Sequence, residues 1–238
     1  MKCHPNKSRR HLGAIRPLDV AAIVCVLAVL SVLLVALAGR VKRDAARTRC
    51  QANLLQIGTA LQLYAQDNKG LLPDCSPTNP RFTGAQWPWD ISTNLTDVLA
   101  TKGVQRATFY CPANPDMNDE RHWNFWRNVP GAGRVIGYPM LLKGVVQMPE
   151  ELARVSLAGG GQLPPASAEL SFDATAGMNG DYTSIKGLWT DRSNHVKNKL
   201  PLGGNVLFLD QHVAWRDFNA MHQQFRTIGP GGWVQWSF

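Results

Sequence analysis

Hydrophobic positions along the chain fall into two regimes that meet without a break. From Val20 to Gly39 there is no charged residue, only Ala, Val, Leu and Ile with Cys25 and Ser31 among them. About 20 such residues in a helix, at ~1.5 Å each, match a bilayer core of ~30 Å. Beyond the basic cluster Arg40, Lys42, Arg43, Arg47 and Arg49, apolar residues recur as Cys50, Leu54, Ile57, Leu61 and Tyr64. That spacing marks one face of an amphipathic helix, with Gln51, Asn53, Gln56, Gln62 and Gln66 largely off it. No proline or turn signal separates the halves. The pattern therefore predicts one long helix, transmembrane over 15–39 and amphipathic over 40–69, stopping near Gly70 and Pro73.

After Gly70 the pattern changes to short apolar runs divided by Gly and Pro. Asn94 to Ala100 reads as a short helix capped by Ser92 or Thr93. Strands are expected at Thr108–Cys111, Val135–Leu142, Leu170–Phe172, Leu188–Thr190, Asn205–Leu209 and His212–Trp215. Phe218, Met221 and Phe225 suggest a helix after Asp217, and Val234, Trp236 and Phe238 share one face of a last strand. Connections this short favour antiparallel pairing. The fold class is α+β: a long N-terminal helix packed on a small, mainly antiparallel β-sheet head spanning 70–238.

Charge changes the picture by its placement. The first 50 residues hold ten of the 25 Lys+Arg and two of the 17 acids, so they carry the whole net charge of +8. The remainder, with fifteen of each, is neutral. The basicity belongs to the membrane flanks, where anionic lipid attracts it, and makes no case for nucleic acid. Five basic residues precede the span and five follow it, so charge alone sets no orientation.

Candidate chemistry is sparse. Cys75 and Cys111 lack a Cys-x-x-Cys partner, which argues against zinc. In an extracytoplasmic head they form either a bridge or two unpaired buried thiols. Asp173, Asp191 with His195, and Asp210 with His212 offer oxygen and imidazole donors for a divalent cation such as calcium, without a loop of fixed ligand spacing. The plainer reading of Asp210-Gln211 is a two-residue hairpin turn, in which Gln211 stands where a positive φ favours glycine. Ser193, His195 and Asp210 assemble into a triad only on paper, since no nucleophile elbow surrounds any serine. The sequence gives no catalytic residue and no reason to expect an enzyme.

The N-terminal stretch Leu18-Asp19-Val20 with its apolar run, and Ala45-Ala46-Arg47-Thr48-Arg49-Cys50-Gln51-Ala52-Asn53-Leu54-Leu55-Gln56-Ile57-Gly58, resembles prepilin-type proteins. Phe109-Tyr110-Cys111-Pro112-Ala113-Asn114-Pro115 and Gly203-Gly204-Asn205-Val206-Leu207-Phe208-Leu209-Asp210-Gln211-His212-Val213 are similar to the same group, the type II secretion pseudopilin-like proteins of planctomycetes and verrucomicrobia. The resemblance implies a pilin-like fold, a basic leader over 1–14 removed by a prepilin peptidase between Ala14 and Ile15, and Asp19 as the fifth mature residue. It also implies assembly with other pilin-like subunits and inner-membrane secretion components, with the head in the bacterial periplasm. The chain departs from that pattern at Ala14 in place of glycine, at Asp19 in place of glutamate, and at Arg16-Pro17. The competing expectation is a binding or hydrolytic domain, either anchored by the uncut span or secreted after a signal cut that follows Ala36-Leu37-Ala38 and leaves Gly39 first.

Overall fold

The computed structural model describes residues 16–75, 87–124, 133–158, 163–186, 190–229 and 232–238. Helix α1 runs unbroken over Pro17–Asp67. Pro17 occupies the first helical position, where a missing N–H costs nothing. Two residues on, the Asp19 carboxylate accepts the Arg16 backbone N–H at 3.1 Å, half of a capping box. The helix ends with Gly70 at φ +81°, its N–H donating to the Ala65 carbonyl at 2.7 Å.

The chain divides into two compact units, Met1–Lys42 and Arg43–Phe238. In the first, the apolar side chains from Leu18 to Leu37 are exposed, and the helix is long and apolar enough to cross a membrane. In the second, Cys50, Leu54, Ile57 and Leu61 are fully buried, as the stripe predicts. Tyr64 is half-buried instead, and Ala60 and Ala65 complete the buried face.

The second unit is built from small antiparallel sheets. Strand β1 (Asp90–Ser92) leads into α2 (Thr93–Thr101), whose Leu95 N–H donates to the Ser92 hydroxyl at 3.2 Å. After α3 (Glu120–Trp123), β2 (Gly133–Val135) pairs with β1. Strands β3 (Glu169–Phe172) and β4 (Ala176–Met178) follow, then the short β5 (Ile185–Lys186), β6 (Thr190–Asp191), β7 (Val196–Lys197) and β8 (Leu200–Pro201). The last four strands are β9 (Gly203–Phe208), β10 (Val213–Asp217), β11 (Gln223–Gly229) and β12 (Gly232–Ser237). With β3 and β4 they form two three-stranded sheets, ordered β10-β9-β3 and β11-β12-β4. Strand β9 is buried at every position, as its continuous apolar run requires. The helix approaches it so closely that a Cβ on Gly58 would stand 3.0 Å from a Leu207 methyl. In the core, Trp89 meets Trp236 of β12 edge-on at 4.7 Å and Phe172 of β3 stacks on Phe238 at 4.2 Å.

Three expected elements differ. Thr108–Cys111 is not a strand: Arg106–Phe109 is a 3-10 turn that buries Thr108 and Phe109. Of Val135–Leu142, only Val135 lies in a strand, and Met140 and Leu142 make isolated bridges. The helix expected from Phe218 through Phe225 shrinks to the 3-10 turn Phe218–Ala220, and Phe225 belongs to β11. There β12 supplies a ladder partner, and Trp236 donates its indole N–H to the buried Thr227 hydroxyl at 2.9 Å. Tertiary pairing overrides the local helical spacing. Of Leu188–Thr190, only Thr190 falls within the described residues.

The β9–β10 hairpin also corrects the expected turn. Val213 pairs with Leu207, so the loop is the three residues Leu209–Gln211, closed by the Gln211 N–H to Phe208 carbonyl bond at 3.0 Å. Gln211 takes φ +75°, the left-handed position at which such loops favour glycine. Its Oε1 is buried without a hydrogen-bond partner. Gln211→Gly is therefore expected to stabilise the head by about 1 kcal/mol, from relief of the left-handed strain. Denaturant unfolding checks this: a lowered midpoint would show that Gln211 packing outweighs the strain.

Candidate functional site

The site grows from a polar residue inside an apolar strand. Asn205 sits in fully buried β9, and Asp173, just beyond β3, is fully buried beside it. Such groups persist in a core only when their hydrogen bonds are made. Asp173 Oδ2 accepts the Asn205 backbone N–H at 2.9 Å and the Asn205 amide at 2.8 Å. Its Oδ1 accepts from the Asn194 amide at 3.1 Å. The His195 ring completes the set, with Nε2 3.1 Å from Asp173 Oδ2 and 3.4 Å from Cys111 Sγ.

His195 reaches this position at φ +49°, a left-handed conformation that costs a residue with a Cβ about 1–2 kcal/mol. Its ring lies edge-on to Trp215 at 5.3 Å, and the Arg47 guanidinium covers the same indole at 4.1 Å. Asn205 also donates to the Arg47 carbonyl at 3.2 Å. On the other side, Asn53 donates to the Tyr138 hydroxyl at 3.1 Å and to the Tyr110 carbonyl at 3.2 Å. Burial first, then the Asp173 charge, push the Tyr138 phenol well above its ordinary value, against the opposing Asn53 bond. Tyr138 stays a neutral hydroxyl.

The cysteines correct the expected pairing. Cys50 of α1 is bridged to Cys111, so Cys111 is not joined to Cys75. Cys75 is a free, buried thiol, and burial followed by the nearby Asp74 carboxylate pushes it far up, keeping it protonated. The reason is geometric: the helical stripe delivers Cys50 to the 3-10 turn that ends beside Cys111, with Cα atoms 5.3 Å apart.

The expected cation donors separate into two places. Asp173 and His195 converge, and with Cys50 and Cys111 they form a cluster whose donor atoms all lie within 4.8 Å of one another. Asp210 and His212 are not in it. They pair with each other at the exposed hairpin end, Oδ1 to Nδ1 at 2.6 Å, and the His212 ring stacks on Phe208 at 4.2 Å. Slight burial opposes ionisation of Asp210, but the His212 ring and N–H outweigh it and hold the carboxyl below its ordinary value. Asp191 lies in β6, and its side chain is outside the described part of the structure, as are Ala14 and Ile15. The paper triad does not form either. Ser193 is buried, and its hydroxyl exchanges bonds with Ala176, donating to the carbonyl at 2.6 Å and accepting the N–H at 2.8 Å. His195 faces Asp173, not Asp210.

Sequence reasoning missed Cys50, which the apolar stripe absorbed, and the amides of Asn194 and Asn205. The available signal was Asn205 itself, a polar residue in the run Gly203-Gly204-Asn205-Val206-Leu207-Phe208. Comparison with protein-family models, curated proteins and solved structures finds no match to this chain.

Proposed function

We propose that the chain is a pilin-like, membrane-anchored structural subunit that assembles through its N-terminal helix in a type II secretion or type IV pilus-like system. The supporting observation is the character of α1. One uninterrupted helix is exposed and apolar from Leu18 to Leu37, then buries Cys50, Leu54, Ile57 and Leu61 as core of the head. A cleaved signal needs no such continuity, because its hydrophobic segment is discarded. The polar cluster fits a structural role: Asn205 ties the helix to β9, the Cys50–Cys111 bridge ties it to the segment after the 3-10 turn, and the buried Ser193 hydroxyl is spent on the Ala176 backbone.

In this reading a prepilin peptidase cuts between Ala14 and Ile15 on the cytoplasmic face of the inner membrane, and the head lies in the periplasm. Subunits leaving the bilayer exchange lipid contacts for helix–helix contacts with other pilin-like subunits. Asp19 then pairs with the N-terminal amine of a neighbour, a desolvated pair that is stable only with both partners present.

Mass spectrometry of the chain isolated from membranes tests this. The mature N-terminus is expected at Ile15, with the span retained. A mature N-terminus at Gly39 with soluble protein would overturn the reading in favour of a secreted domain, and a membrane-bound chain still starting at Met1 would favour an unassembled single-pass protein.

A further inference from the structure

We propose that the Cys50–Cys111 pair has a second, reduced state in which both thiolates, His195 Nε2 and the Asp173 carboxylate bind one divalent transition metal of the zinc or cobalt kind. The four donors come from four places in the chain yet converge within 4.8 Å, all of them buried. One of the distances already matches a tetrahedral centre and a second falls just short of it. Metal–sulfur bonds of ~2.3 Å and metal–nitrogen or metal–oxygen bonds of ~2.0 Å place neighbouring ligand atoms about 3.3–3.8 Å apart. Nε2 of His195 stands 3.4 Å from Cys111 Sγ and 3.1 Å from Asp173 Oδ2. The two sulfurs must part from bonding distance to about 3.8 Å.

The surroundings are those of a metal ligand set. Asp173 is oriented by the Asn205 N–H and by the amides of Asn205 and Asn194, the outer contacts that fix a coordinating carboxylate. His195 holds its ring there from a left-handed backbone, an outlier of the kind that accumulates at functional positions. Asn194 Oδ1 is buried in the same network without a hydrogen-bond partner.

The chemistry balances. A dithiol reductant gives two electrons and two protons to the Cys50–Cys111 bond, yielding two thiols and the reductant's own disulfide. Metal binding then releases both thiol protons to solvent, and the His195 ring, which donates from Nε2 to Asp173 in the oxidised state, moves its proton to Nδ1 so that Nε2 is free to bind. Either state clamps α1 to the head, by a covalent bond when oxidised and through the metal when reduced. The inference concerns the head alone, so it stands or falls separately from assembly.

The test uses the full chain in detergent, prepared once with the bridge formed and once under dithiothreitol so that it never forms, the reductant removed before titration with cobalt alone. The reduced chain should take one cobalt, with sulfur-to-cobalt charge-transfer absorption and the visible bands of tetrahedral cobalt; the oxidised chain should show neither. Cys50→Ser should abolish the charge-transfer signal, and His195→Ala should weaken cobalt binding by about tenfold or more. Should the reduced apo-chain unfold, cobalt should restore the near-ultraviolet dichroism of its tryptophans. No charge-transfer band in the reduced chain, no recovery of an unfolded one, or the same band in Cys50→Ser, which would place the metal on other cysteines, each overturns the proposal.

Discussion

Asp173→Ala should destabilise the oxidised head by about 3–5 kcal/mol, the scale of breaking a buried charged network by removing one member. The carboxylate is fully buried and accepts four hydrogen bonds, from the Asn205 backbone, the amides of Asn205 and Asn194, and the His195 ring. The amides retain other partners, Arg47 and Gly137 carbonyls, but the Asn205 N–H loses its acceptor inside the strand that centres the sheet. His195 would then hold a strained backbone with no carboxylate to face. Denaturant unfolding of the full chain in detergent checks this. A loss below about 1 kcal/mol, the net worth of one ordinary hydrogen bond, would show that the network is not what holds these segments together.

The second large effect concerns the bridge. Cys50 and Cys111 are 61 residues apart, and closing a loop of that length removes chain entropy from the unfolded state worth about 4 kcal/mol. Cys50→Ser should lower stability by about that amount, and in the presence of a chelator the wild type under reductant should match the variant. Peptide mapping without reduction should return a Cys50–Cys111 cross-link. It should also find Cys75 unlabelled by alkylating agents until the chain unfolds, since its thiol is buried and held protonated. A Cys75–Cys111 cross-link would contradict the structure.

How much of this was legible in the sequence depended on whether the signal was local. The long helix was, because a charge-free run and a helical stripe both lie in consecutive residues. The β9–β10 hairpin was too, since the two apolar runs flank a polar turn, although its loop proved one residue longer. Strand β11 was not legible: Phe225 follows Phe218 and Met221 at helical spacing, and only its pairing with Trp236 of β12 makes that stretch extended. The candidate site was half legible. Asp173 and His195 stood out as donors, but the register that brings Asn205 against Asp173, and the helix face that carries Cys50 to Cys111, are tertiary facts. Asp210 and His212 stood out equally and satisfy each other at the surface.

The proposed assembly through the N-terminal helix depends most directly on Asp19. Its carboxylate accepts the Arg16 N–H, a local cap whose loss frays one end of a 51-residue helix without touching the head, which belongs to the other compact unit. In the proposed assembly an Asp19–amine pair between subunits would be a far larger contribution, since truncating one partner of a buried charge pair costs about 2–5 kcal/mol. Chemical cross-linking in membranes should therefore show multimers of the wild type, and about a tenfold or greater loss of them in Asp19→Ala, with head stability unchanged. Equal multimer yield from wild type and Asp19→Ala would contradict assembly through this helix.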